Sequence, residues 1–459
     1  MVNVKNVIKI LVIVTFAVLT ICLAQFHEPW SDEAQSFLIA RDTTILDVFH
    51  YMKYEGTPPL WVLTIKLFLL LGGTYEYLYI IPIICSIIGI IIFEFKIKAP
   101  MYIKIIFPFT YFILYQNTII RRSYSLIFPV LMMIAAMYDK RFEKPFLYSL
   151  MLLLLMNISL HTLVISGSLY WIFLMEMVKN KEYKNKKVLL SAILIFFELG
   201  IAALMTYPAS DCTFTGNGGR PFYYVLSEAT ISSNFGINGE AAITCVIALV
   251  VAYLFKKDNS VYTIFEFCAL FVPVMMVFCL ITYQGWHIGI IWLLILTYLI
   301  IKDKLDTDET IKKFVTIVCI FQVFWSISSY TYDFKNNYSG SKAVANFIKE
   351  LDNYEDLEIY GWGYSITGIQ PYFKENVFDN DLVDKAFWHW NKDKNLLDYD
   401  EFWANQADVY VISDFYMSRD VAVSWINLEE YEELWFEGNT YMKDHMYENE
   451  GYYVYVKNK

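Results

Sequence analysis

Apolar and polar residues follow one another along this chain in long blocks. Predominantly apolar runs lie near residues 7–25, 77–95, 101–118, 123–138, 145–160, 163–178, 188–206, 238–255, 261–281, 287–301 and 312–328, eleven in all. A helix needs about 20 apolar residues to cross a bilayer, so the pattern predicts a polytopic α-helical membrane protein. A further run at 58–73, "PPLWVLTIKLFLLLGG", is shorter, contains Lys66 and opens on two prolines. It reads as an interfacial helix. A second amphipathic stretch is expected at 31–51.

After residue 330 the pattern changes. "LEIYGWG", "ADVYVISDF" and "GYYVYVKN" have the β-branched and aromatic character of strands, while "SGSKAVANFIKEL", "YDEFWANQ" and "VSWINLEEYEEL" read as helices. The expected organisation is a membrane region, 1–330, and a small α/β domain, 331–459.

Charge adds an orientation. The connections near 96–104, 139–144, 179–187, 256–257 and 302–313 hold 17 Lys and Arg, whereas the opposite loops beyond residue 77 hold Arg121, Arg122 and Arg220. Cytoplasmic loops are enriched in Lys and Arg, which predicts a cytoplasmic N-terminus, an uncleaved first span and an extracytoplasmic C-terminal domain. Residues 26–76 then form a large external loop. The net charge of −11 hides an asymmetry: residues 331–459 carry 25 acidic and 11 basic side chains, leaving the membrane region slightly basic. Seven cysteines show no paired spacing, so neither a disulfide framework nor a zinc site is predicted. No Gly-rich phosphate loop is visible, and nothing points to nucleic acid.

The conspicuous chemistry follows the first run, in "HEPWSDEAQSFLIARD" at 27–42. Ionised carboxylates are costly near a membrane. Asp32 and Glu33 would point about 100° apart on a helix, so one can act while the other orients. Ser31 and Asp32 could instead cap a helix through "EAQSFLIAR". A carboxylate at a dry face can accept a proton from a hydroxyl, which suits group transfer to an alcohol. An anionic leaving group would need cations, and the external ones are Arg41, Lys53, Lys66, Arg121, Arg122 and Arg220. Arg41 and Lys66 can equally snorkel from an interfacial helix. The six histidines lack paired spacing, so no metal is expected; His27 reads as a hydrogen-bonding neighbour of the motif and His161 as a helix end. Most tail tryptophans read as core, with "AFWHWNKD" the best candidate for contact with a sugar.

"EPWSDEAQSFLIARD", followed by "EGTPPLWVLTIKLF", resembles the first external loop of GT-C fold glycosyltransferases, closest to the protein mannosyltransferase and lipid A aminoarabinose transferase group. The motif match is confined to about residues 27–75, and the many spans and external tail complete the likeness. The resemblance implies an inverting transferase that uses a polyprenyl-phosphate-linked sugar and acts at the outer face of the cell membrane on a glycan, protein or lipid acceptor. It requires no cofactor. Asp32 would be the general base, supported by Glu33. Gln35 and Thr57 stand where relatives that use lipid A carry basic residues, so Arg41, Arg121 and Arg122 become the candidates for the donor phosphate. Trp30, Gln35, His27, His161 and Arg220 are further candidate contacts with donor or acceptor. The rival readings are a transporter or flippase, for which no repeated halves are seen, and a polysaccharide polymerase or ligase, whose main loop would lie between late spans.

Overall fold

A computed structural model describes residues 4–214, 253, 261–281, 287–382, 385–391, 396–439 and 450–458. The protein is a helical membrane protein joined to a small sheet domain. Among the described residues, six helices are long and apolar enough to cross a membrane: α1 (Val4–Leu23), the segment Tyr75–Lys96, Leu160–Lys179, Lys186–Thr206, Thr263–Leu280 and Glu309–Lys335. On α1, Val7, Ile10, Leu11, Val14, Val18 and Ile21 are exposed, as are Phe196, Phe197 and Leu204 on Lys186–Thr206. Such apolar surface suits a lipid surround.

The other runs are shorter or broken. Pro145–Met156, Gly289–Ile301 and Ile127–Met137 span 10–17 residues, and the run 238–255 lies outside the described residues apart from Tyr253. The stretch 101–118 departs most from the expected single helix. It is a short helix to Ile106, a 3-10 turn over Phe107–Phe109 and a π turn over Phe112–Gln116. Pro108 lacks the N–H that a continuing helix needs. Non-helical backbone in a helical membrane protein is tolerated where protein encloses it, and residues 110–121 are all buried. Tyr111 stacks flat on Trp325, with ring centroids 3.8 Å apart.

Residues 26–76 fold into three helices. The stretch 31–51 is not one helix: α2 (Ser31–Asp42) and α3 (Ile45–Glu55) are separated at Thr43 and Thr44. The Thr44 hydroxyl accepts from the backbone N–H of Asp47, whose carboxylate accepts from Thr44 N–H, a reciprocal cap that starts α3 afresh. Gly56, at φ 61°, ends α3 in a left-handed conformation that suits glycine. α4 (Leu60–Leu70) follows Pro58 and Pro59. Eleven residues make about 16 Å, too short to cross a bilayer. Trp61, Val62 and Ile65 of α4 pack instead against Ala34, Phe37 and Leu38 of α2. Lys66 does not snorkel; its ammonium donates to the carbonyls of Ala40 and Thr43 and caps the C-terminal end of α2.

The last long helix runs on to Lys335 before the sheet domain begins. Four strands are ordered β1-β2-β4-β3: β1 (Ile359–Trp362), β2 (Val409–Ser413), β3 (Tyr431–Phe436) and β4 (Tyr452–Lys457). β1 and β2 are parallel, and β4 pairs antiparallel with β2 and β3. Val344, Ala345 and Ile348 of the helix Ser341–Glu350 cover one face, while Phe402, Tyr410 and Tyr431 form a core on the other. The expected helix "VSWINLEEYEEL" is a correction. Its last four residues, Tyr431–Leu434, open β3, because Leu434 and Phe436 alternate with Glu433 and Trp435 at the strand period, and pairing with β4 overrides the helix-favouring glutamates.

Candidate functional site

The acidic couplet opens α2, and the structure sends its two carboxylates to different places. The expected cap by Ser31 or Asp32 is absent. The Ser31 hydroxyl has no hydrogen-bond partner. The N-terminal N–H groups are taken by glutamates: Trp30 N–H lies 3.5 Å from Glu33 Oε1, and Ser31 N–H donates to Glu450 Oε1 at 2.8 Å. Glu450, two residues before β4, also accepts from the Ser339 hydroxyl at 2.8 Å and is fully buried. Negative charge at a helix N-terminus is favourable.

Glu33 is completely enclosed. His27 Nε2 is 3.0 Å from Glu33 Oε1, and His27 Nδ1 is 3.3 Å from Asp333 Oδ2. Tyr115 donates its hydroxyl to Asp333 at 2.9 Å, and Arg121 N–H donates to Glu33 Oε2 at 2.8 Å. Burial alone would lower the His27 pKa, but the carboxylates of Glu33 and Asp333 outweigh it and raise it to about 9. Burial likewise opposes the charge on Glu33, yet His27 and Arg121 hold its carboxyl below the ordinary value. Both ring nitrogens of His27 therefore face carboxylates as donors. This is a buried strut joining α2, the helix Glu309–Lys335 and the loop before Arg122.

Asp32 faces the other way, with about a quarter of its side chain exposed. Its Oδ2 lies 2.7 Å from Arg122 Nη1, and its Oδ1 accepts from the Tyr364 hydroxyl at 3.0 Å. The Arg122 guanidinium lies over the rings of Trp30 and Tyr124, at 5.8 and 5.5 Å, a placement that favours a cation. Trp30 is thereby a buried platform for Arg122.

The remaining sequence candidates divide in the same way. Arg121 is 4% exposed and its guanidinium points inward, toward the carbonyls of His27 and Tyr75 at 3.4 and 3.5 Å. Arg41 is at the far end of α2, paired with Asp42 at 2.5 Å and bonded to the Phe373 carbonyl at 2.7 Å. The structure does not bring either guanidinium to Asp32. Gln35 grips the backbone of Trp388 at both ends, donating to its carbonyl at 2.7 Å and accepting from its N–H at 2.9 Å. His161 is buried, with its ring centroid 4.4 Å from that of His287. His287 in turn is 3.0 Å from the Tyr124 hydroxyl. Arg220 lies outside the described residues. No group of three or more His, Cys, Asp or Glu that could hold a metal occurs among the described residues.

Three participants were not linked to the acidic couplet by the sequence, although Trp388 lies in the aromatic stretch "AFWHWNKD". Tyr364 and Trp388 belong to the connection between β1 and β2, more than 300 residues from α2. Glu55, at the end of α3, accepts from Gln35 at 2.8 Å. Burial pushes its carboxyl up to about 7, a push that hydrogen bonding to Gln35 reduces and the nearby Asp32 reinforces. Its place two residues ahead of "TPP" was the one available signal.

Compared with protein-family models, curated proteins and solved structures, the chain matches none of them.

Proposed function

We propose that the protein is a membrane glycosyltransferase that moves a sugar from a polyprenyl-phosphate donor to an acceptor hydroxyl, with Asp32 as general base. In this reading the loop 26–76 and the sheet domain face the extracytoplasmic side and the basic connections face the cytoplasm. The observation that carries it is the partly exposed pair of Asp32 and Arg122, held on a rigid helix N-terminus beside apolar helices. Asp32 takes the proton of the acceptor hydroxyl. The acceptor oxygen then attacks the anomeric carbon, and the bond from that carbon to the phosphate oxygen breaks with inversion. The electron pair leaves on the polyprenyl phosphate, where Arg122 offsets the charge with its planar set of donors. Trp30 and Tyr124 orient Arg122, and Tyr364 orients Asp32. Arg121 and Glu33 support the site from within.

Two carboxylates of the helical region are held in ion pairs, which favours this reading over transport, although Glu94 is buried with neither carboxylate oxygen hydrogen-bonded. Glu176 is paired with Arg141 and Glu266 with Lys302, each at 2.5 Å. Such pairs fix helices rather than offering a relay. The test is turnover of a radiolabelled polyprenyl-phosphate hexose by purified protein in lipid. Loss of transfer in Asp32→Asn, with the thermal midpoint unchanged, supports the assignment. Undiminished transfer would remove it.

A further inference from the structure

The segment 386–391, "AFWHWN", separates two hollows. One, about 240 Å³, is bounded by the end of α3 with Tyr54 and Glu55. The other, about 480 Å³, opens at the carboxyl ends of the parallel strands β1 and β2. Trp362 ends β1 and Tyr364 follows it, Tyr416 follows β2, and Trp388, Trp390 and Tyr399 complete the wall. Its volume lies within the roughly 300–1,000 Å³ of small-molecule sites, and the carboxyl ends of parallel strands are where α/β folds commonly bind ligands.

The wall is rigid. Gln35 fixes the backbone of Trp388, and Thr213 N–H donates to the Trp390 carbonyl at 3.0 Å. Tyr364 meets Trp390 at 5.1 Å between centroids and Trp388 at 5.8 Å, while Trp388 and Trp390 remain partly exposed. Gly363, at φ 96°, lets the chain pass so close to the Tyr416 ring that a Cβ there would lie 2.7 Å from it. Polar groups are interleaved: Asn391 borders both hollows, and its side-chain oxygen is buried without a hydrogen-bond partner. Flat apolar rings beside hydrogen-bonding groups match the two faces of a sugar ring, one of C–H groups and one of hydroxyls. The groove is one side chain away from Asp32, because Tyr364 both lines it and donates to Asp32.

We propose that this groove is an oligosaccharide acceptor subsite, presenting the terminal hydroxyl of a bound glycan to Asp32. The identity of the occupant as acceptor rests on the transferase reading; its binding does not. The experiment titrates the full chain in nanodiscs, without donor, with cellotetraose, maltotetraose, mannotetraose and chitotetraose, followed by tryptophan fluorescence and calorimetry. Saturable binding of at least one is expected, weakened roughly tenfold by Trp390→Ala or Tyr416→Ala through lost stacking. Trp390→Phe keeps a flat ring and should retain most of the affinity. Absence of binding by all four at millimolar concentration, or equal binding by wild type and both alanine variants, overturns the proposal. Binding without any transfer from the labelled donor leaves the groove standing and overturns the transferase reading. Transfer that is insensitive to the groove variants does the reverse.

Discussion

Two neighbouring carboxylates meet two neighbouring arginines crosswise in this protein, Asp32 through the Arg122 guanidinium and Glu33 through the Arg121 backbone N–H, and the two contacts live in opposite surroundings. Glu33 and Arg121 meet in the interior, where Glu33 is wholly enclosed and saturated by His27 and backbone N–H. Asp32 and Arg122 meet at the rim, with about a quarter of each side chain exposed. The helical turn between successive residues of α2 separates the two carboxylates. A buried charge must be matched by fixed partners, because removing one leaves the other stranded; a rim charge keeps contact with solvent and can exchange partners. The interior pair therefore holds shape, and the rim pair can meet a substrate.

Substitutions can break that contrast. The largest effect on turnover is expected from Asp32→Asn, a loss of about 10²–10⁴-fold, the usual worth of a positioned general base. Its thermal midpoint should stay near that of the wild type. Glu33→Gln should do the opposite, destabilising the fold by about 3–5 kcal/mol by removing the buried counter-charge of His27, visible as a lowered unfolding temperature. If Glu33→Gln were stable yet inactive, the division of labour would be reversed. Arg122→Lys keeps charge but loses the planar fork, and should weaken donor binding by about tenfold with little change in unfolding temperature. Arg121→Lys should disturb stability before donor affinity.

A pH series sharpens the same contrast. His27 is raised from 6.5 to about 9 in the folded protein, so its contribution is complete below pH 6.5 and disappears as pH climbs through 9. Glu55 acts in the same direction over a lower window, since a carboxyl raised to about 7 loses stability between pH 4.5 and 7. The unfolding temperature should thus fall between pH 6.5 and 9 in the wild type, and this slope should flatten in His27→Gln. The smallest effect belongs to Gln35→Ala, about 1 kcal/mol or slightly more for two hydrogen bonds to the Trp388 backbone. It would be read as a change in tryptophan fluorescence with the helical circular dichroism intact.

Much of the helical architecture was legible because lipid-crossing helices must be long and apolar, and α1 or Lys186–Thr206 announce themselves by composition. The failures are local. At 101–118 composition predicted a span, but Pro108 and enclosure by neighbouring helices produced a 3-10 turn and a π turn. In "VSWINLEEYEEL" the glutamates suggested helix, while the edge of β4 recruited the last four residues into β3. At the candidate site, the acidic couplet and the arginine pair were visible in the order of residues. Which member of each pair reaches the rim was not, and nothing local tied Tyr364, Trp388 or Glu450 to α2.

The order of residues by itself determined an apolar, multi-helix chain with a mixed α/β tail, and it placed Asp32 and Glu33 about 100° apart at a helix start. Those properties depend on neighbours within a few positions: hydrophobic length, helical period and breakers such as Pro108. Only the tertiary structure decided that Glu33 is sealed by His27 and Arg121, that Asp32 meets Arg122 and Tyr364, and that Glu450 caps α2 from 419 residues away. Contacts over such separations depend on how whole elements pack, and packing is a property of the assembled fold rather than of any stretch of the chain.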